Sequence, residues 1–286
     1  MRFYIKGFLI LVHHRMFCKF VAMRILFYIS LLSLTLYSCN RNTERSIQPA
    51  RDYVLMHEGL SNVIPLVIHT GQSQTYLLDV LNYGADTLNS CASYVYLAGD
   101  TLDITNSPMQ YEISFSQCSD MDHELKNGNL SCILYDYFNV DSASCFVSFD
   151  AFSVNNNILS GSLTIKRTGG NAYRVSTTNL KLIIGTREIN YAGAIIYNMG
   201  TGGNVNLLLD NFIMVSDEGS LNDRYGNDFT INNEGISKEL NCDWFNDGFV
   251  ELEDVDGESI VLDYGAGSCD NNGTVTYSGE DILINL

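Results

Sequence analysis

The residues of this chain that could do chemistry are histidines, carboxylates and hydroxyls, and their spacing matches no known catalytic or metal-binding motif. His57, His69 and His123 are too scattered for the ligand spacing of a metal site. They are interpreted as ordinary surface or helix-flank residues. The segment GQSQT at residues 71–75 fails the nucleophile-elbow pattern at its last position, where threonine replaces glycine.

Cofactor motifs are also missing from the sequence. GTGG at residues 200–203 is too short for a dinucleotide fingerprint and is better interpreted as a hairpin turn. DWFNDG, from residue 243, has phenylalanine where a calcium loop needs an oxygen ligand. No cofactor and no metal are therefore predicted, and calcium binding is supported only by the excess of acidic residues.

Aromatic and acidic residues leave two interpretations open. The single tryptophan, Trp244, could be a sugar-binding platform, but its position two residues after Cys242 favours core packing. With 33 acidic residues, some pair will always have the separation that glycoside hydrolysis needs. A glycan-acting enzyme is therefore the least favoured function, and no catalytic residue is predicted.

The N-terminal region has the anatomy of an export signal. An apolar run at residues 25–37 follows Met23 and Arg24 and is too short for a transmembrane helix. It ends in LYSC, residues 36–39, which resembles a bacterial lipobox. Cys39 is therefore predicted to become the lipidated first residue, anchoring the protein to a membrane. An ordinary signal peptide with an incidental cysteine, or an uncleaved anchor, is the alternative.

These features define the expected organisation of the first 74 residues. Residues 1–38 form the signal region, and translation is expected to start at Met23, because histidines and basic residues break up the apolar content of residues 1–22. The lipoprotein signal peptide is then 23–38. Residues 39–50 form the linker. A short helix is expected within residues 51–74, where apolar positions share one face although Pro65 would interrupt it.

The charge of the chain excludes one class of partner. Five of the 16 basic residues and none of the 33 acidic residues lie in residues 1–38, so the 248 residues left from 286 carry 11 basic and 33 acidic residues, a formal charge of −22. A field of this sign repels nucleic acid. The partners expected are the membrane, through the lipid anchor, and a protein or glycan ligand.

Cys18 lies in the signal region and Cys39 is predicted to carry lipid, which leaves six cysteines. An even number of cysteines in an exported chain predicts disulfides. Cys91 and Cys118 are 27 positions apart, and so are Cys242 and Cys269. We predict these two pairs from the repeated spacing. The remaining pair, Cys132 with Cys145, follows by default.

The two predicted pairs enclose similar sequence patterns. Each contains a short strand, a turn and an alternating strand, and each is followed by an Asn-Gly pair, at residues 127–128 and 272–273, that predicts a hairpin turn. The sequence therefore predicts a mainly β protein of antiparallel hairpins or meanders, arranged as a sandwich or an open curved sheet. Two related disulfide-bonded β units are expected, at residues 75–200 and 201–286.

Three segments carry a resemblance to a family of Bacteroidetes lipoproteins: IVLDYGAGSCDNNGTVTYSG at 260–279, CDW at 242–244, and SFDAFSVNNNILSGSLTIKRTGGN at 148–171. The resemblance covers roughly residues 50–286, and no activity accompanies it. It implies an outer-membrane lipoprotein. The membrane face stays open, because residues 40–46 contain only one acidic residue. It also implies O-glycosylation at short Asp-Thr or Asp-Ser sites, namely Thr87, Thr101 and Ser142.

The function expected from the sequence is that of a non-catalytic cell-envelope lipoprotein, either ligand-binding or structural. The alternative is an adhesin or fimbria-related subunit. Such a subunit needs an exposed edge strand, for which the terminal segment EDILINL at residues 280–286 is the natural candidate.

Overall fold

A computed structural model describes residues 46–83, 91–119, 124–199, 212–233, 235–238, 242 and 244–286. The predicted signal region, Cys39, Thr87 and His123 lie outside these residues. Helix α1 spans 46–70 and helix α2 spans Gln74–Tyr83. The strands are β1 Ala92–Ala98, β2 Met109–Ser119, β3 Leu125–Leu134, β4 Ser144–Val154, β5 Asn157–Gly169, β6 Ala172–Ile184, β7 Arg187–Met199, β8 Phe212–Asp217, β9 Ser220–Asn222, β10 Asp228–Asn233, β11 Ile236–Lys238, β12 Asp247–Asp254, β13 Ser259–Ala266, β14 Asn272–Tyr277 and β15 Glu280–Asn285.

The strands form one antiparallel sheet in which neighbours in the chain are neighbours in space. Its order runs from β1 to β8, then through β11 and β12 to β15. The short strand β9 pairs with β7 and β10, and β10 also pairs with β12. The mainly β, antiparallel meander predicted from the sequence is confirmed. The predicted unit boundary at residue 200 lies outside the described residues, but β7 and β8 on either side of it pair directly.

Helix α1 lies inside this sheet. None of its residues is exposed, and its apolar side chains are buried on nearly all sides of the helix. A helix that is apolar all round belongs in a protein core rather than at a surface. It packs closely on β5, since a Cβ added at Gly59 would lie 2.7 Å from Cδ1 of Leu159.

The helical prediction needs two corrections. First, α1 begins within the predicted linker and continues past Pro65. A proline inside a helix costs one hydrogen bond and a steric clash, but the burial of the whole surrounding helix outweighs that cost. Second, α2 was not expected. Its signal is Ser73, whose hydroxyl accepts a hydrogen bond from N–H of Tyr76 at 3.2 Å as a helix N-cap. Leu77 and Val80 then bury its apolar face.

Glycines in the middle of the strands allow the sheet to bend. Gly128 in β3 and Gly161 in β5 have φ of +89° and +100°, and each lies at a register shift with a neighbouring strand. A Cβ on Gly161 would lie 2.2 Å from the carbonyl oxygen of Asn179. Such bulges increase local twist and bend a strand, which lets the sheet curve around α1.

The predicted Asn-Gly turns are wrong, because both pairs lie within strands, at the bulge of β3 and at the start of β14. The turn between β4 and β5 is instead made by Asn155 and Asn156, with φ of +51° and +68°. Asparagine tolerates this left-handed conformation better than most residues. Gly170 and Asn171 form the turn between β5 and β6.

Candidate functional site: the Trp244 cleft

A cleft of about 270 Å³ opens beside the first half of α1, and we name it the Trp244 cleft. Val54, Glu58 and Ser61 line its first wall from α1. Glu124, just before β3, and Asn155, just after β4, complete that wall. The first wall therefore joins the helix to one end of two neighbouring strands.

The second wall comes from the C-terminal part of the chain. Lys238 ends β11, and Trp244 and Phe245 lie before β12. Tyr264 of β13 and Leu286 complete this wall. Strands β5 to β8 separate the two walls in the sheet order, so curvature of the sheet around α1 brings them together.

Asn155 holds the first wall in place. Its Nδ2 donates to Oε1 of Glu58 at 3.2 Å, and its Oδ1 accepts a hydrogen bond from N–H of Leu125 at 3.1 Å. The Asn155 amide also donates to the carbonyl of Leu125 at 2.9 Å. These contacts fix the side chain of Glu58 against the start of β3, next to Glu124.

The second wall has an aromatic lining. The rings of Phe245 and Tyr264 lie 5.7 Å apart. Trp244 is only partly buried, yet its indole N–H is inaccessible and has no acceptor among the described residues. A buried polar group without a partner is rare in a folded protein. Trp244 lies two residues after Cys242 of the Cys242–Cys269 disulfide, and it lines the cleft.

A second group of polar residues, the Asp217 network, lies deeper in the core. Oδ1 of Asp217 accepts a hydrogen bond from the hydroxyl of Tyr191 at 2.6 Å, and Oδ2 accepts one from Tyr53 at 3.2 Å. Nε2 of His57 lies 3.1 Å from Oδ2. Oδ1 of Asn233 accepts a hydrogen bond from the backbone N–H of Asp217 at 2.6 Å. The network therefore ties α1 to strands β7, β8 and β10.

Burial keeps the tyrosines of this region protonated. Desolvation, followed by the charge of Asp217, raises the pKa of Tyr53, Tyr191, Tyr197 and Tyr264 above the usual value. A histidine beside an aspartate resembles part of a catalytic triad. Here the side chains of His57 and Asp217 are 1% and 0% exposed, so both are enclosed in the core. Their arrangement serves to hold the helix.

The interpretation of the histidines as surface or helix-flank residues is wrong for the two that are described. His57 and His69 lie within α1 and are both 1% exposed. No local sequence pattern predicts the partner of His57, because Asp217 follows it by 160 positions. His69 stacks edge-on against Tyr76 of α2, with ring centroids 4.3 Å apart.

A further ion pair joins the start of α1 to the turn after β9. Oδ1 of Asp52 accepts hydrogen bonds from Nε of Arg224 at 2.7 Å and from Nε2 of Gln48 at 2.8 Å. Burial raises the pKa of Asp52, and the hydrogen bonds and charge of Arg224 oppose that shift. This pair and the Asp217 network together tie α1 to β7, β8, β10 and the turn after β9.

Comparisons of the chain with protein-family models, with curated proteins and with solved structures find no match.

The structure confirms two of the three predicted disulfides. Cys91–Cys118 joins β2 to the residue before β1, and Cys242–Cys269 joins the segments that flank β12 and β13. Each bond therefore closes a two-stranded hairpin. The similarity of the two sequence patterns corresponds to this shared arrangement.

The third predicted disulfide is wrong, because Cys132 and Cys145 are free thiols. Cys132 faces Val147 across β3 and β4, and Cys145 faces Leu134. The two cysteines are thus diagonal neighbours, whose Cα atoms are typically about 7 to 8 Å apart, longer than most disulfides allow. Burial raises the pKa of the Cys145 thiol.

The remaining predicted sites are placed as follows. Thr101 lies in the connection after β1, where its carbonyl accepts hydrogen bonds from Gln74 and Tyr137. Ser142 is exposed in the connection before β4, with φ of +71°. Both are loop positions, as expected.

Within the described ranges, no group of histidine, cysteine and acidic residues has the arrangement of a metal site. Neither described helix has the length and apolar content of a membrane span.

Sequence reasoning missed the charged residues of the cleft. Glu58, Glu124 and Lys238 come from distant parts of the chain and share no spacing motif. Only the asparagine run at residues 155–157 carried a signal, because it marks the turn that supplies Asn155.

Proposed function

We propose that this protein is a non-catalytic lipoprotein of the bacterial cell envelope that binds a small ligand in the Trp244 cleft. The observation that carries the proposal is the cleft itself, an opening of about 270 Å³ with aromatic, aliphatic and charged side chains on facing walls. Ligand sites are typically concave, mostly apolar and supplied with a few polar groups that orient the ligand.

Two features support binding over a purely structural role. The cleft combines the apolar side chains of Val54, Phe245 and Leu286 with the charged groups of both walls. The polar residue Asn155 is held by its own hydrogen bonds, so the first wall is organised before any ligand arrives. Preorganised groups bind with a smaller loss of conformational entropy.

The absence of catalysis is also part of the proposal. The histidine and aspartate that resemble a catalytic pair are enclosed in the core, away from the cleft lining. The groups that line the cleft include two carboxylates, which fit hydrogen bonding to a ligand as well as they fit acid–base chemistry. Hydrolysis of an envelope polysaccharide that one carboxylate substitution abolishes, without a lower melting temperature, would contradict this part.

The sole tryptophan provides the assay for binding. Because Trp244 is the only tryptophan and lines the cleft, a bound ligand should change the fluorescence of the full-length protein without any label. Arrays of glycans and short peptides, with and without calcium, supply the candidates. A saturable change in fluorescence supports the proposal if calorimetry shows that the same ligand binds Trp244→Ala more weakly than the parent protein. If no class of ligand changes the emission of Trp244 and calorimetry detects no heat of binding, the proposal fails.

The anchor is proposed to be lipid on Cys39, with the protein attached to the outer membrane. A Cys39→Ala protein should lose the acyl mass and leave the membrane fraction, because two or more acyl chains are needed for stable attachment. Cys18→Ala is the matched control, since that residue lies in the segment expected to be removed. Equal membrane attachment of Cys39→Ala and the parent protein would contradict the proposal.

Membership of the Bacteroidetes lipoprotein family and O-glycosylation remain proposals of the same kind. Of the three glycosylation sites, the exposed Ser142 is the best placed for an attached sugar. Intact mass spectrometry tests this directly. A mass equal to that of the lipidated polypeptide alone would exclude glycosylation at all three sites.

An assembling subunit is the second candidate, favoured by the open ends of the sheet. Strands β1 and β15 each pair with only one strand in the described sheet. β1 has no charged residue, and Val95, Tyr96 and Leu97 are each about half exposed, at 48%, 48% and 51%. Natural sheets commonly protect such an edge with charge or proline. A concentration-dependent oligomer abolished by Val95→Lys, but not by Lys181→Met, would support this candidate.

A further inference from the structure

An open groove of about 620 Å³ crosses the outer face of the sheet over strands β4 to β7, and we name it the hydroxyl groove. Thr164 in its lining is partly exposed, whereas Ile165, the next residue of β5, is buried in the core. Successive side chains of a strand point to opposite faces of a sheet. The groove therefore lies on the face away from the core, and the residues that line it are different from those that line the Trp244 cleft.

The pairing of the strands places small and hydroxyl side chains in a row across this groove. Thr164 of β5 faces Phe146 of β4 on one side and Ser176 of β6 on the other. Ser176 in turn faces Ala194 of β7. Because neighbouring strands lie about 4.8 Å apart, this row of four residues spans about 14 Å. The floor of the groove is thus long, narrow and lined by short side chains.

Hydroxyl groups on this floor are available to a ligand. Within the described residues, the side chains of Thr164 and Ser176 make no hydrogen bond. The neighbouring hydroxyls are already used, since Thr177 donates to the carbonyl of Ser162 at 2.6 Å and Ser162 donates to Oδ1 of Asn179 at 3.4 Å. Each available hydroxyl can donate one hydrogen bond and accept others.

The charged side chains of the groove cancel each other. Arg174 and Glu218 are the charged residues in its described lining, and Nη2 of Arg174 lies 3.7 Å from Oε2 of Glu218. This pair brings no net charge to the groove, while the whole chain carries a formal charge of −17 that repels polyanions. The electrostatics therefore favour a neutral ligand.

The position of the groove argues against a peptide and against a lipid chain. An extended peptide adds to a sheet at an open edge, but each strand from β4 to β7 has a paired strand on both sides. An acyl chain needs an apolar cavity, and Phe146 is the one aromatic residue in the described lining. A sugar polymer fits better, since its hydroxyls complement those of the floor and its ring faces can contact the half-buried ring of Phe146.

We infer that the hydroxyl groove binds a neutral, linear oligosaccharide that lies across strands β4 to β7. Its hydroxyls exchange hydrogen bonds with Thr164 and Ser176, and one of its rings contacts Phe146. The length of the row suits several linked sugars rather than one. This site goes beyond the proposed function, because it is separate from the Trp244 cleft and takes a different ligand.

The test uses calorimetry on the full-length protein with neutral hexasaccharides of glucose, mannose and xylose as probes. A hexasaccharide of galacturonic acid is the charged comparison, and glucose is the short one. We expect saturable binding of at least one neutral hexasaccharide. The charged hexasaccharide and glucose should each bind that site at least about tenfold more weakly.

Substitutions on the outer face locate the bound sugar. The paired change Thr164→Val with Ser176→Ala removes both hydroxyls with little change of volume and should weaken binding by about tenfold or more. Ser176→Gln keeps the residue polar and neutral but fills the floor, and it should weaken binding at least as much. Ser131→Gln is the control, because Ser131 is a partly exposed serine of the same face that lies outside the groove lining. Its affinity should equal that of the parent protein.

The outcomes also separate this site from the Trp244 cleft. Loss of affinity in the two groove variants but not in Trp244→Ala supports the inference, whether or not the cleft binds a ligand of its own. Sugar binding that Trp244→Ala abolishes and the groove variants retain overturns the inference and supports the proposed function. The inference is also wrong if no neutral hexasaccharide binds, or if the galacturonic acid probe binds equally well.

Discussion

Nε2 of His57 lies 3.1 Å from Oδ2 of Asp217, which joins the central helix to strand β8 inside the core. The carboxylate also accepts hydrogen bonds from Tyr53 and Tyr191. Groups of this kind are costly to bury unless they are paired. The position of α1 within the sheet is therefore fixed by directional contacts as well as by apolar packing.

Removing the Asp217 carboxylate should strongly destabilise the fold. Asp217→Ala leaves the hydroxyls of Tyr53 and Tyr191 buried without their acceptor, and we expect the free energy of unfolding to fall by about 2 to 6 kcal/mol, or about 1 to 3 kcal/mol for each group. Denaturant unfolding measures this change. Glu218→Ala is the control, because its side chain is 67% exposed and its loss should cost no more than about 0.5 kcal/mol. Equal effects of the two substitutions would refute the structural role of the network.

The stability of the fold should decline in alkali. Desolvation raises the pKa of Tyr53, Tyr191, Tyr197 and Tyr264 in the folded state above the ordinary value of 10.0. Stability is therefore present in full below pH 10, and it is lost as the pH rises above that value, because only the unfolded chain ionises these groups. Each tyrosine contributes a slope of about 1.4 kcal/mol per pH unit.

Urea unfolding at a series of pH values measures that slope. In Tyr197→Phe, one of the four contributions is absent and the alkaline slope should be shallower. A slope unchanged by this substitution would show that Tyr197 ionises as readily in the folded protein as in the unfolded chain.

Alanine at two left-handed glycines should have different effects. Gly161→Ala and Gly185→Ala both place a side chain at positive φ, with φ of +100° and +62°, a strain of about 1 to 2 kcal/mol. Only at Gly161 does the new Cβ meet a backbone atom, the carbonyl oxygen of Asn179, whereas nothing lies within 4 Å at Gly185. We expect Gly161→Ala to cost a further 1 to 3 kcal/mol, on the order of an overpacked core site. Equal melting temperatures of Gly161→Ala and Gly185→Ala would contradict the bulge at Gly161.

Alkylation should distinguish the two classes of cysteine in the β domain. We expect Cys132 and Cys145 to react with iodoacetamide only after denaturation, because both are buried thiols. Non-reducing peptide mapping should recover Cys91 linked to Cys118. The paired substitution Cys91→Ser with Cys118→Ser should lower stability by about 3 kcal/mol on the chain-entropy model. A peptide that links Cys132 to Cys145 would contradict the free thiols.

Local patterns predicted the sheet well. Hairpin patterns of alternating apolar and polar residues predicted the mainly β antiparallel sheet, and the repeated spacing of 27 predicted both disulfides. These features depend on residues close in sequence, or on a spacing that the chain repeats. The free thiols could not be predicted, because the register of β3 against β4 decides whether Cys132 faces Cys145.

The cleft and the Asp217 network depended on information that local patterns lack. His57 meets Asp217, and Glu58 shares a cleft with Lys238, only after the sheet has curved around α1. Pro65 illustrates a related limit. Its local effect is to interrupt a helix, but the enclosure of α1 on nearly all sides outweighs that effect.

The order of elements along the chain has a consequence for how the protein reaches its fold. Because nearly all strand pairs join consecutive strands, the sheet can grow by local hairpin addition, a route that favours rapid folding. The helix has the opposite requirement, since it leaves the ribosome or a translocation channel before any of the strands that enclose it. The imidazole of His57 lacks the carboxylate of Asp217 until β8 has been synthesised. A chaperone that shields this helix during synthesis would therefore raise the yield of folded protein more than one that acts on the strands.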